Sequence, residues 1–391
     1  MVIFLMMVFP EDKIRTITWG ELREQAVRTR DQLLTRFPEL PPAQVDREIR
    51  HKALVVAAGG GGGSGYIYLG AFAELERWGF RPSLLAGTSM GSILGLFRAV
   101  VEKFDHGLTL AVLRNLSWSK LFRLISMKSR YGLPAALRLH LRDGIGHHFQ
   151  NERGLPLSLK DLPIPTIITV SGIRRGALPR PVSYYENLLG PDLRPTPWEV
   201  KRKVASVIDA YAELTERPGR LETVYLGLDE GTSEFDAIDA AGFSSALPGV
   251  IHYDLMHQDP RMSDLLDTLF HQRDIFRLVD GGLVDNVPAQ AAWRAVQRGT
   301  IGTRNAFVLA LDGFSPKLST PMWLPLQRIV AAKIQESLSF AHHYVPFARQ
   351  LSPLELVPNV RSALAVLERG RHEMLEQMPF ISRMLKPLPA F

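Results

Sequence analysis

Residues 55–75, VVAAGGGGGSGYIYLGAFAEL, pass from a continuously apolar stretch through five consecutive glycines into a helical pattern. An apolar run with no polar alternation is what a strand covered on both faces requires. The glycines leave a row of backbone N–H groups with no side chain above them, and N–H groups gathered at a helix start attract negative charge. The stretch therefore predicts a strand–loop–helix unit of an α/β fold and a place for an anion. Two kinds of anion fit: a nucleotide phosphate, or a charge that develops only during a reaction.

The same rhythm continues along the chain. Strands are expected at KALVVAA (52–58), SLLAG (83–87), TIITVSGI (166–173), ETVYLGL (222–228), IFRLVD (275–280) and AFVLALD (306–312), and helices from the glycine loop to about Trp78 and from Gly91 to about Glu102. These predict an α/β fold with a mainly parallel central sheet flanked by helices, one unit over 51–315. Residues 1–50 read as an N-terminal helical appendage. Thr18 and Glu21 form a capping box, Leu22, Ala26, Leu33 and Phe37 share a helical face, and PELPP (38–42) stops it. Residues 316–391 read as a C-terminal helical extension, with helices at 325–345 and 360–378.

Composition narrows the chemistry. The 391 residues, 46% hydrophobic, can bury a sizeable core, and the absence of cysteine excludes disulfides, thiolate metal sites and a cysteine nucleophile. No His/Asp/Glu cluster has the spacing of metal ligands, so no metal is expected. Lys plus Arg number 46 against 40 Asp plus Glu, an excess compatible with an anionic surface as partner. The first residues, MVIFLMMVFPEDK, offer nine apolar positions with no basic residue before them and acids just behind. They resemble neither a secretory signal nor a membrane span, so a strand or pinned arm is expected, in a protein that is cytoplasmic or peripheral at a membrane.

The phosphate reading fails on what surrounds the loop. A P-loop closes with Gly-Lys-Ser/Thr, whereas here Gly63, Ser64, Gly65 and Tyr66 follow. A dinucleotide site spaced on Gly60, Gly62 and Gly65 needs an acid at the tip of the second strand, where the chain reads Gly87, Thr88, Ser89, Met90, Gly91. That G-x-S-x-G sequence at a strand-to-helix turn is the context of a nucleophile elbow, with Ser89 as the nucleophile. LVDGGLVDN (278–286) puts Asp280 at a strand end, where Gly281 and Gly282 leave its carboxylate open as a base. The N–H groups of Gly60, Gly61, Gly62 and Gly63 then suit an oxyanion.

Three motifs in this order resemble those of the patatin-like phospholipases over roughly residues 51–315. The family's glycine-rich oxyanion loop matches Gly60 to Gly65, its G-x-S-x-G elbow Gly87 to Gly91, and its D-G-G/A motif Asp280 to Gly282. AGFSSALPGV (241–250) is similar to the family's small-residue segment, and Asn286 and Pro288 follow the Asp motif in the usual way. One departure is Ser64, where the family commonly has Arg or Lys. The resemblance implies a three-layer fold, no cofactor, and a Ser89–Asp280 dyad that cleaves esters of phospholipid or lysophospholipid through an acyl-serine. A triad using His342, His343 or His372 is the competing arrangement, although each falls in an expected helix. Asp312 is the alternative base, and Asp285 is expected to support its loop. Two other readings stay open: a serine acyltransferase, and a non-catalytic phosphate- or lipid-binding module. No nucleic acid partner is expected, and the sequence leaves the oligomeric state undetermined.

Between His106 and Arg142 stand seven Lys/Arg and no acid, interleaved with Trp118, Phe122 and Tyr131. Such a segment suits docking on anionic lipid, or a helical cap with a solvated basic face. A further insertion, about 254–272, reads as a lid or a surface helix.

Overall fold

The computed structural model describes residues 18–124, 129–189, 214, 219–255, 259–314, 334–348, 350–353 and 355–390. The expected N-terminal arm, Lys128 and residues 325–333 lie outside them. In chain order the principal elements are α1 (Trp19–Arg36), α2 (Pro42–Arg50), β1 (Ala53–Ala58), α3 (Tyr68–Arg77), β2 (Leu84–Thr88), α4 (Met90–Ala99), α5 (His106–Asn115), β3 (Phe122–Leu124) and β4 (Ala135–Leu139). They continue with β5 (Thr166–Arg174), α6 (Val182–Leu189), β6 (Leu221–Leu226), α7 (Ala237–Ser244), β7 (Gly249–His252), α8 (Pro260–Arg273), β8 (Ile275–Asp280), α9 (Ala289–Gln297), β9 (Ala306–Asp312), β10 (His343–Pro346) and α10 (Val360–Leu385).

Seven strands form the central sheet in the order β10-β9-β1-β2-β5-β6, with β8 also paired to β5. Pairing is parallel from β10 to β5, and β6 and β8 run antiparallel to β5. Alternation sorts the side chains onto two faces. Leu54 and Val56 of β1 and Phe307 and Leu309 of β9 join the core formed with α3, α4 and α10. Val55 and Ala57, with Val308 and Ala310, pack on α9 on the other side. The result is a three-layer α/β fold with a mostly parallel sheet.

One strand explains why two distant parts of the sequence meet. β5 pairs its first half with β2, up to Thr88↔Thr169, and its second half with β8, down to Val170↔Asp280. β6 occupies the opposite edge over the same residues. β2 and β8 therefore abut end to end on one edge of β5, and the residue after Thr88 meets the last residue of β8.

Three expectations need correction. The 316–391 segment is not purely helical: His343–Pro346 adds a parallel strand beside β9, so the helix expected over 325–345 ends before it. The anticipated apolar face of α1 is only partly covered, with Leu33 and Phe37 exposed. The 106–142 stretch is not a simple helical cap; after α5 it contributes β3 and β4, which with β7 make a second, three-stranded sheet. The capping box at α1 forms as read, Glu21 N–H donating to Thr18 Oγ1 at 3.3 Å and Thr18 N–H to Glu21 Oε2 at 2.8 Å.

Candidate active site

Ser89 stands between β2 and α4 with φ 52° and ψ −124°, a conformation that costs a non-glycine residue about 1–3 kcal/mol. Neighbours hold it there. The Ser89 N–H donates to Ser244 Oγ at 2.8 Å, and that hydroxyl donates to Thr169 O at 2.6 Å. Ser92 Oγ donates to Ser89 O at 2.6 Å, and Thr88 Oγ1 to Asp285 O at 2.9 Å. A Cβ on Gly91 would run into the carbonyl of Ala58, and one on Gly87 would lie 2.6 Å from Ser92 Cα, so the elbow closes only with glycine at both positions. Ser89 is the N-cap residue of α4, so the positive end of the helix dipole begins at its position.

Asp280 is fixed through its backbone, N–H to Ala246 O at 2.9 Å and Ser171 Oγ to its own carbonyl at 2.7 Å. Its Oδ1 accepts from Gly282 N–H at 2.8 Å, and the neighbouring Ser89 favours the charged form of the same carboxylate. Burial raises the carboxyl to about 6, and the Gly282 N–H and the neighbouring Ser89 oppose that rise. The result is a carboxylate that is charged at neutral pH yet basic enough to take a proton.

The glycine loop divides its donors. Gly60 N–H is taken by Asn286 O at 3.2 Å, and Gly63 N–H by Pro353 O at 3.0 Å. Among the described residues no acceptor takes the N–H of Gly61 or Gly62, and these two glycines line the cavity that Ser89 and Asp280 also line. Of the four N–H groups expected as donors, those of Gly60 and Gly63 are engaged in holding the loop, which leaves those of Gly61 and Gly62. Gly61 (φ 134°) and Gly62 (φ 56°) adopt angles open to glycine and strained for other residues. Ser64 Oγ donates to Gly61 O at 2.7 Å and pins the turn.

The cavity measures about 140 Å³, the size at which an apolar space takes up a small ligand instead of being a packing defect. Its walls are mostly apolar, among them Phe97 of α4, Leu113 of α5, Phe122 of β3, Leu139 of β4 and Ile251 of β7. Ser245 and Asn286 also line it; Ser245 Oγ and Asn286 Nδ2 are buried with no hydrogen-bond partner among the described residues.

The profile of the family described as patatin-like phospholipase matches residues 56–293, more than half of the chain. The chain belongs to the patatin-like phospholipase family. No curated protein matches it in sequence. The family match ends at 293, before β9, β10 and α10, so part of the sheet and the Pro353 and Leu356 wall of the cavity come from outside the matched region.

Within this patatin-like domain the competing candidates fall elsewhere. Among the described residues no histidine lines the cavity. His342 Nδ1 accepts from Val308 N–H at 2.9 Å, and burial lowers its pKa to about 4. His343 bonds Gln377 at 3.0 Å, and His372 lies exposed on α10, 3.6 Å from Glu376. Asp312 does not line the cavity; its Oδ1 accepts from Phe314 N–H at 2.7 Å and its Oδ2 from Tyr344 OH at 2.7 Å. Asp285 accepts from Tyr225 OH at 2.9 Å. The 254–272 insertion becomes α8, a surface helix whose Met262, Leu266, Leu269 and Phe270 are buried and none of which lines the cavity.

Sequence reasoning missed Ser244, Pro353 and Leu356. Ser244 belongs to the small-residue segment, so a signal for it existed; the other two carry no local sign of their role. The basic stretch also resolves into parts. Arg142 is held by buried Asp236 (2.7 Å) and Asp239, and Arg130 pairs with Asp267 at 3.0 Å. Arg114, Trp118, Lys120 and Arg123 face outward, opposite the apolar side chains that line the cavity. No helix among the described residues is long and apolar enough to cross a membrane.

Proposed function

We propose that this member of the family is a phospholipase A or lysophospholipase-type acyl hydrolase that works through a Ser89–Asp280 dyad. The observation that carries the reading is a serine on a strained elbow and a buried, weakly acidic carboxylate that line one apolar cavity with two unpaired N–H groups. Ser89 Oγ attacks the ester carbonyl while Asp280 takes its proton, and the N–H groups of Gly61 and Gly62 hold the oxyanion. The tetrahedral adduct collapses, the leaving alcohol receives the proton from Asp280, and acyl-Ser89 remains. Asp280 then draws a proton from water, which attacks the acyl carbon; collapse returns the proton to Ser89 and frees the fatty acid. The apolar walls accept the acyl chain, and the outward face carrying Arg114, Trp118, Lys120 and Arg123 rests on anionic lipid.

A fluorophosphonate should label Ser89, and Ser89→Ala and Asp280→Asn should each reduce hydrolysis of a soluble short-chain ester at least a thousandfold, with acyl release to water rather than to an added alcohol. His342→Ala or His372→Ala costing as much would replace the dyad with a triad, and absence of labelling would leave a binding module.

A further inference from the structure

Asn286 is only 3% exposed, lines the cavity, and has an amide nitrogen without a partner. Its backbone carbonyl accepts from Gly60 N–H at 3.2 Å, and its Oδ1 lies close to both Gly60 and Gly282. A methyl group built on Gly60 would stand 2.8 Å from Asn286 Oδ1 and 3.0 Å from Ser89 Cβ; one built on Gly282 would stand 2.9 Å from Asn286 Oδ1 and 3.0 Å from Asp280 Oδ1. Asn286 Oδ1 thus borders the space over Gly60 together with Ser89 Cβ, and the space over Gly282 together with Asp280 Oδ1. Half a turn about its last torsion exchanges oxygen and nitrogen, and Nδ2 has no bond to lose in doing so.

A buried amide left without an acceptor is costly, and an apolar residue would fill the same space without that cost. The protein offers no acceptor among the described residues. The substrate brings one, its carbonyl oxygen, whose negative charge grows as Ser89 attacks. We infer that Asn286 is a third oxyanion donor, its Nδ2–H joining the N–H groups of Gly61 and Gly62 on the tetrahedral intermediate. This rests on the hydrolase reading above and names a catalytic residue for it.

The test uses the full chain and a soluble p-nitrophenyl ester. Asn286→Ala and the space-filling Asn286→Leu should lower kcat at least tenfold and up to about a thousandfold, with KM within about threefold. A trifluoromethyl ketone, which forms a tetrahedral adduct on the serine, should lose affinity by the same factor as kcat/KM, while fatty acid product binding stays unchanged. A kcat within twofold of the parent, or lost activity with unchanged ketone affinity, would assign Asn286 to packing alone. Should both variants fail to fold, the parent protein decides: with asparagine ¹⁵N-labelled, ketone binding should move the Asn286 side-chain amide proton downfield, and no movement overturns the inference. A parent that does not turn over, or a Ser89→Ala variant that does, would sink the hydrolase reading and this one with it; an active, Ser89-dependent parent with indifferent Asn286 variants would sink this one alone.

Discussion

At the residue scale, the carboxyl of Asp280 meets two opposed demands. Burial that raises its affinity for a proton also makes its charged form expensive in the folded state. The group titrates at about 6 when folded, against 3.8 as the ordinary value. The folded state therefore binds the proton more tightly than the unfolded chain, and stability contributed below the lower value is lost as pH rises through the upper one. By neutral pH the loss is on the order of 3 kcal/mol. Asp280→Asn should abolish hydrolysis and at the same time raise the unfolding free energy at pH 7, with the gap to the parent shrinking toward pH 4 in denaturant titrations. In the parent, kcat/KM should climb through about pH 6 to a plateau. Asp285, which burial raises to about 7, does not line the cavity; Asp285→Asn should leave the limb near 6 in place, and its disappearance would assign the base elsewhere.

At the element scale, the segment from α5 to β3 has two faces of different chemistry. Leu113, Leu121 and Phe122 are buried on the cavity wall, whereas Arg114, Lys120 and Arg123 stand outside with Trp118, which packs on Phe122 at 4.5 Å between ring centres. Exchanging Arg114, Lys120 and Arg123 for Gln should remove a preference for anionic over neutral vesicles and its salt sensitivity, each charge near the surface being worth about 1 kcal/mol. The soluble-ester rate should not change; equal losses on both substrates would make the segment a wall and nothing more. The strands that could be read beforehand are runs of five or more residues dominated by apolar and β-branched side chains, as in β1, β5 and β9. Those that could not are short: β10 is HYVP, four residues with a histidine and a proline, and only its neighbour β9 makes it a strand. The same distinction runs through the site. Ser89 and Asp280 are marked by glycines that the local turn needs, so the motif and the geometry coincide. Which N–H groups of the glycine loop stay free depends on Asn286 and Pro353, 226 and 290 residues from Gly60 and Gly63 respectively, and no local pattern carries that.

At the scale of the whole molecule, the C-terminal chain braces the glycine loop and walls the cavity. Pro353 O accepts from Gly63 N–H, Leu356 O accepts from Tyr66 OH at 2.9 Å, and α10 crosses α3 where Gly70 and Gly370 each leave no room for a side chain. A Cβ on Gly370 would strike the carbonyl of Ile67, in the turn that closes the glycine loop. Gly370→Ala should therefore destabilise by about 1–3 kcal/mol and lower kcat as well. Gly95→Ala, within α4 where a Cβ meets nothing within 4 Å, should stabilise by about 0.5–1 kcal/mol; calorimetry of the two variants tests the contrast. The end-to-end meeting of β2 and β8 on β5 has a consequence for how such a chain can diversify. Ser89 and Asp280 are aligned by ladder register along a single strand, as adjacent notches on one ruler. Length added to the connections between β5 and β8 leaves the notches aligned. A single residue inserted within β8 before Asp280 would turn the carboxylate to the opposite face of the sheet, away from Ser89, with every motif residue still present in the sequence.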